Sequence, residues 1–286
     1  MLGLIVISVV GLGVWHFFNN RGGKSSKSVI LNTTVVPSKW KTVLTEKVSF
    51  YNALNDEEKR RFELKIQQFF SNHKITGVQV EIDIVDRLLV ASSAVILTFE
   101  FPGWEYSELD EVLIYPNAFN RNFETAGPGR TILGMVGTGY MDGKMILSKR
   151  ALHHGFSNAS DKKNTAIHEF VHLIDKEDGV IDGIPEALLE NQYSIPWFDL
   201  IRKKINDIHQ DDSDINPYGA TNNQEFFAVA TEYFFERPQL MKRKHPKLHA
   251  LLVEVFDQDL SKRDLSKSFR EIGRNDPCLC GSGEKY

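Results

Sequence analysis

The run His168-Glu169-Phe170-Val171-His172 constrains this chain more than any other stretch. Two imidazoles four residues apart can share one metal ion if the backbone between them is an α-helix, because positions i and i+4 then lie on one face. A helix is therefore expected over 165–175, with Ala166, Ile167, Phe170, Val171 and Ile174 as its apolar bulk. Asn158, Ser160 and Asp161 precede it as start signals, and Gly179 follows as a stop. Glu169 stands beside the first imidazole, where its carboxylate can hold a metal-bound water instead of the metal. Asp175 continues the polar stripe, either orienting a ligand or serving as an ordinary surface or capping residue.

Zinc is the metal this pattern calls for, and a catalytic zinc usually keeps three protein ligands. The downstream acids are Glu186, Glu190, Glu225 and Glu232. Glu190 lies at a spacing like that of thermolysin. Glu225 opens the apolar run 225–235, and a carboxylate on the buried face of such a helix is costly unless a cation satisfies it. Glu225 is taken as the third ligand, with Glu232 as its supporting or salt-bridging neighbour. Glu190 and Glu232 stand as the alternatives.

Around these residues the sequence resembles the Mlc titration factor A (glucose-regulated) peptidases. The resemblance rests on Tyr218-Gly219-Ala220-Thr221-Asn222-Asn223-Gln224-Glu225-Phe226-Phe227-Ala228-Val229-Ala230 and on His168 to Asp175. It extends through Asp178-Gly179, Asp182-Gly183-Ile184-Pro185, Phe235-Glu236-Arg237-Pro238 and His245-Pro246-Lys247-Leu248. Upstream it includes Ala53-Leu54 and Ile114-Tyr115-Pro116. It covers roughly 36–260 and implies an α+β, gluzincin-type zinc metallopeptidase domain, similar in site layout to the catalytic domain of anthrax lethal factor. It further implies that Glu225 is the third zinc ligand and that Tyr218 points at the bound substrate. Members of that family are linked to sequestering a transcriptional repressor of sugar uptake, so a repressor is an implied partner.

The remaining sequence sets the organisation. With 286 residues, 42% of them hydrophobic, the chain can bury a substantial core. A net charge of −4 gives no general attraction to nucleic acid, and none is expected as a partner. The basic run 237–247 is broken by Pro238 and Pro246 and reads as a solvated helix end. Residues 2–18 are apolar, with Trp15, Phe17 and Phe18 near their end and Arg21, Lys24 and Lys27 after them. They read as one N-terminal transmembrane helix holding a cytoplasmic catalytic domain at the cell inner membrane. Residues 19–35 form a linker, 36–264 the peptidase domain and 265–286 a tail.

Within the domain, 57–72 has helical periodicity, 79–85, 95–101 and 112–115 are β-rich, and 88–96 is apolar, open between a helix and a buried strand. Asp142-Gly143 signals a hairpin between 139–141 and 144–147. Such a ribbon either supplies the sheet edge along which an extended peptide binds or serves as a structural ribbon. Helices are expected over 195–209 and 225–235. His153-His154 reads as a surface pair. The two cysteines, Cys278 and Cys280, fall in a tail that resembles the first half of a SEC-C zinc-binding motif, without its second ligand pair. Two functions from different classes follow: a peptidase acting on peptides or proteins, with exo- or endo-action open, or a repressor-binding protein whose metal site is ancillary. The set His168, Glu169, His172, Tyr218 and Glu225 favours chemistry, because binding alone needs neither Glu169 nor Tyr218.

Overall fold

Strong start signals seed several helices of this computed structural model, which describes residues 36–158, 161–185 and 194–265. After α1 (Ser38–Lys47) and α2 (Ser49–Asn52), helix α3 (Asp56–Asn72) begins at a capping box. The Asn55 side chain accepts from Glu57 and Glu58 N–H while Glu58 accepts from the Asn55 N–H. Helix α4 (Ile84–Leu97) uses the same device with Asp83 and Asp86. From Leu88 to Leu97 every residue of α4 is buried, which is why 88–96 carries no amphipathic period.

A four-stranded sheet is threaded between these helices: β1 (Lys74–Gly77), β2 (Glu111–Tyr115), β3 (Gly134–Val136) and β4 (Lys144–Ser148). Its order is β1-β2-β4-β3, with the first two pairings parallel and β3 antiparallel to β4 at one edge. Helix α5 (Lys149–Ser157) leaves β4 directly, capped by the Ser148 hydroxyl. Next come α6 (Thr165–Asp175), α7 (Ser194–His209), α8 (Asn223–Glu236), α9 (Pro238–Lys244) and α10 (Pro246–Phe256). Short 3₁₀ turns join several of them, including Pro217–Ala220 before α8. The result is a helix-rich α+β fold. Its core gathers Phe62, Leu88, Phe170, Trp197, Phe227, Phe234 and Phe256, all fully buried.

Three sequence expectations change here. Residues 79–85 and 95–101 are not strands: the first leads into α4, and Val95, Ile96 and Leu97 are its last turn. The hairpin exists, but its first strand is β3 at 134–136, because 139–141 curls into a 3₁₀ turn. The membrane assignment is also corrected. Among the described residues no helix is long and apolar enough to cross a membrane. The segment 2–18, on which a single-pass, inner-membrane location with a cytoplasmic catalytic domain rested, lies outside the described residues. That location therefore has no support in the structure.

Candidate metal centre and catalytic cleft

Helix α6 is set by its start and its packing. Asn164 caps it, accepting from the Ile167 N–H at 3.1 Å, and is itself held by its Nδ2 donating to the Gly155 carbonyl at 3.1 Å. Ala166, Ile167, Phe170, Val171, Leu173 and Ile174 are buried, and His168 and Glu169 line a cleft. Gly179 ends the following turn at φ 97°, a left-handed conformation that favours glycine. Asp175 is buried and accepts from the Gly183 N–H at 2.8 Å, so it anchors the loop after the helix.

Helix α8 brings the carboxylates. Asn222 caps it by accepting from the Glu225 N–H at 2.8 Å, placing Glu225 in the first turn facing α6. Glu225 Oε2 lies 3.0 Å from His168 Nε2 and 3.8 Å from His172 Nε2. Ligand atoms of the three residues all fall within 4.8 Å of one another. Two donors at tetrahedral positions around zinc lie about 3.3 Å apart, so the set fits such an ion. The three side chains are only 12%, 13% and 17% exposed.

The surroundings match the needs of a cation. Glu232, two turns on from Glu225, accepts from His168 Nδ1 at 2.7 Å with one oxygen and from the Asn164 N–H with the other. This fixes the tautomer and leaves His168 Nε2 for a metal. Burial works against charge on His168, but the bonds to Glu225 and Glu232 outweigh it and pull its pKa well above the usual range. The carboxylates thus supply negative potential that a proton or a metal ion would satisfy. His172 is held neutral by burial and by the neighbouring His168 charge, its pKa lowered to about 4. A neutral imidazole is the form that ligates.

Glu169 is buried beneath edge strand β3, and burial, reinforced by Glu225 and Glu232, raises its pKa to about 7. A Cβ at Gly134 would come within 2.6 Å of both Cγ and Oε1 of Glu169. Only a residue without a side chain lets the strand pass so close. Tyr218 rises from the 3₁₀ turn, its N–H accepted by Asn216 Oδ1 at 3.1 Å and its ring 6.0 Å from that of His168. Its hydroxyl pairs with Glu225, and burial with that carboxylate nearby raises its pKa, so it stays a donor.

The five residues read from the sequence thus share one site, and Glu232 sits directly behind it. Glu186 and Glu190 lie outside the described residues. Sequence reasoning missed Gly134, Asn164 and Asp214. Asp214 joins the segment before Tyr218 to the rest of the site: it accepts from Tyr233 of α8 at 2.9 Å and pairs with His245 at 2.7 Å. Lys162 and Lys244 reach it as well. His153 and His154 are not a surface pair: His153 is buried against Asp86 at 2.6 Å, while His154 lines the cleft. The cleft itself measures about 1090 Å³.

The sequence profile of the glucose-regulated metallo-peptidase M90 family matches residues 22–257. The chain belongs to that family. It is 31% identical over 233 residues to the uncharacterized protein slr2042 of Synechocystis, covering 77% of this chain and 84% of that one. It is 26% identical over 225 residues to Mlc titration factor A of Pectobacterium atrosepticum, covering 72% and 81%. With Mlc titration factor A of Salmonella arizonae the identity is 28% over 229 residues, covering 73% and 87%. A SEC-C motif matches residues 274–286, which lie outside the described residues. Membership of a metallopeptidase family agrees with the convergent His and Glu donors and implies a bound metal ion.

Proposed function

We propose that this chain is a zinc-dependent peptidase of the gluzincin type, its domain spanning 36–264 and its active-site helix α6. The observation that carries the reading is the meeting of His168, His172 and Glu225 near the buried carboxylate of Glu169, which is not one of the three clustered donors. In this reading those three residues hold zinc, which when bound lowers the pKa of a water and polarises the scissile carbonyl.

The chain's own groups do the rest. Glu169, with a pKa near neutrality, accepts the water proton at its carboxylate and passes it to the leaving amine nitrogen. Tyr218 donates its phenolic hydrogen to the carbonyl oxygen as negative charge develops there, a contact strongest in the transition state. Glu232 keeps His168 in the ligating tautomer. Strand β3, last in the sheet order and lying against Glu169, offers its outer edge to an extended peptide as a further strand.

The test is a mixed peptide library incubated with the full chain, with a chelator, and with zinc restored. Cleavage that vanishes with the chelator and returns with zinc supports the reading. Cleavage indifferent to the chelator contradicts it. The relatives' name, Mlc titration factor A, carries the second reading, repressor binding. Co-purification of a repressor from cells expressing the Glu169→Gln protein, without any cleaved peptide from the parent, would favour it.

A further inference from the structure

Two segments without a metal donor lead into the site: the approach to α6 and the stretch before Tyr218. Lys162 and Asp214 bind them to each other. Lys162 Nζ donates to the backbone carbonyl of Asp214 and lies 3.3 Å from its carboxylate Oδ2, so it grips the main chain as well as the side chain. The same ammonium sits 4.5 Å from the centre of the Tyr233 ring on α8. Asp214 accepts from the Tyr233 hydroxyl at 2.9 Å, pairs with His245 Nε2 at 2.7 Å and with Lys244 at 3.1 Å. An exposed ion pair contributes little. This carboxylate is only 24% exposed and is shared among partners from several elements.

The backbone on the α6 side of this bridge is strained. Lys162 has a φ of 60°, a left-handed conformation that is unfavourable for a residue with a side chain and persists only where the surroundings hold it. Its side chain is tied to Asp214, and the next two N–H groups are taken by α8: Lys163 donates to Glu236 at 3.0 Å and Asn164 to Glu232. Asn164 caps the helix that carries His168 and Glu169. On the other side, Asp214 leads through buried Ile215 to Asn216, whose side chain caps the 3₁₀ turn of Tyr218. Gly219 fixes the far end of that turn, lying so close to α8 that an added Cβ would meet Val229 at 3.3 Å. Asp214 holds the near end. Tyr218 itself is 53% exposed, and its hydroxyl pairs with Glu225, which the proposed function commits to the metal. The reach of the phenol is then set by the turn.

We propose that Lys162 and Asp214 are positioning residues, whose bridge sets the turn of Tyr218 against the start of α6 and so keeps the phenol and the Glu169 carboxylate at a fixed spacing across the cleft. The catalytic consequence rests on the peptidase reading, whereas the placement of Tyr218 does not. A displacement of about 1 Å in a reacting group costs about 10²-fold in rate. Loosening one end of the turn while Gly219 holds the other should cost about tenfold.

Lys162→Met removes both bonds to Asp214 and keeps the length of the side chain, and Asp214→Asn is a second variant that keeps the shape of the carboxyl group. The full chain is labelled with 3-fluorotyrosine, and the fluorine resonance of Tyr218 is identified by its absence from Tyr218→Phe. In both variants that resonance should shift or broaden while those of Tyr51 and Tyr106 stay in place. In Lys162→Met, kcat on the best library peptide should fall about tenfold, with zinc content and KM close to the parent's. In the Tyr218→Phe background the same substitution should change kcat by less than about twofold, because the group it positions is already gone. A Tyr218 resonance unmoved in both variants overturns the proposal. So does an equal loss of kcat in both backgrounds, which would place the effect away from Tyr218. If the parent cleaves nothing, the peptidase reading fails, and the resonance still decides whether the bridge holds Tyr218.

Discussion

Replacing Gly134 by alanine tests how β3 and Glu169 depend on each other. The added Cβ would lie 2.6 Å from Cγ and Oε1 of Glu169 and 2.8 Å from Cγ2 of Thr165. Ordinary contact begins at 3.4 Å, so the strand and the Glu169 side chain must separate by about 0.8 Å. Overpacking of this kind costs about 1–3 kcal/mol of stability. The catalytic effect is larger, because a displacement of about 1 Å in a reacting group lowers turnover by about 10²-fold. The metal donors belong to other residues, none of them among Gly134's close contacts, so zinc content should be unchanged. The assay is kcat on the best library peptide, with metal analysis and a denaturation curve on the same preparation. Parent-like kcat in Gly134→Ala would refute the claim that the edge strand sets the position of Glu169.

Three further outcomes are expected. Glu232→Ala frees His168 Nδ1 and the Asn164 N–H, so zinc affinity measured by chelator competition should fall about 10- to 100-fold; affinity within twofold of the parent would make Glu232 purely structural. Tyr218→Phe should retain zinc and KM while lowering kcat about 10²-fold, as loss of an oxyanion donor does; unchanged kcat would remove Tyr218 from the reaction. Burial works against the Asp214 carboxylate, but His245, Tyr233, Lys244 and Lys162 outweigh it and hold its pKa far below the usual range. A depressed carboxylate stabilises the fold above its unfolded pKa of about 4, and that contribution is lost as pH falls through the folded value. Asp214→Asn should therefore lower Tm at pH 7, with the gap to the parent closing under acid; a gap that is constant across pH would contradict the assignment.

The helices that carry the site were legible because their constraints are local. Thr165–Asp175 has an apolar face, a fixed histidine spacing and a glycine stop, and Asn223–Glu236 is an apolar run whose first carboxylate needs a cation. What escaped was set by tertiary packing. From Leu88 onward helix α4 is buried all round, so Val95 and Ile96 look like part of a strand. Strand β1 is only Lys74–Gly77, too short to show an alternation, and is fixed by its parallel pairing with β2. Asn164 looks no more like a cap than Asn158 until Glu232 and Gly155 are seen to hold it. Asp214 is one acid among several in 211–214, and only the fold gathers Tyr233, His245 and two lysines around it. Gly134 carries no chemistry of its own, so no motif could mark it.

In the proposed mechanism Glu169 moves the proton while His168, His172 and Glu225 hold the metal. Glu169→Gln keeps the side chain's size and removes its basicity. Zinc content and turnover of the same purified protein, measured beside the parent, separate the two roles. Zinc content should equal the parent's and turnover should fall about 10²-fold or more, as expected for loss of a general base. Turnover equal to the parent's with zinc bound would contradict it.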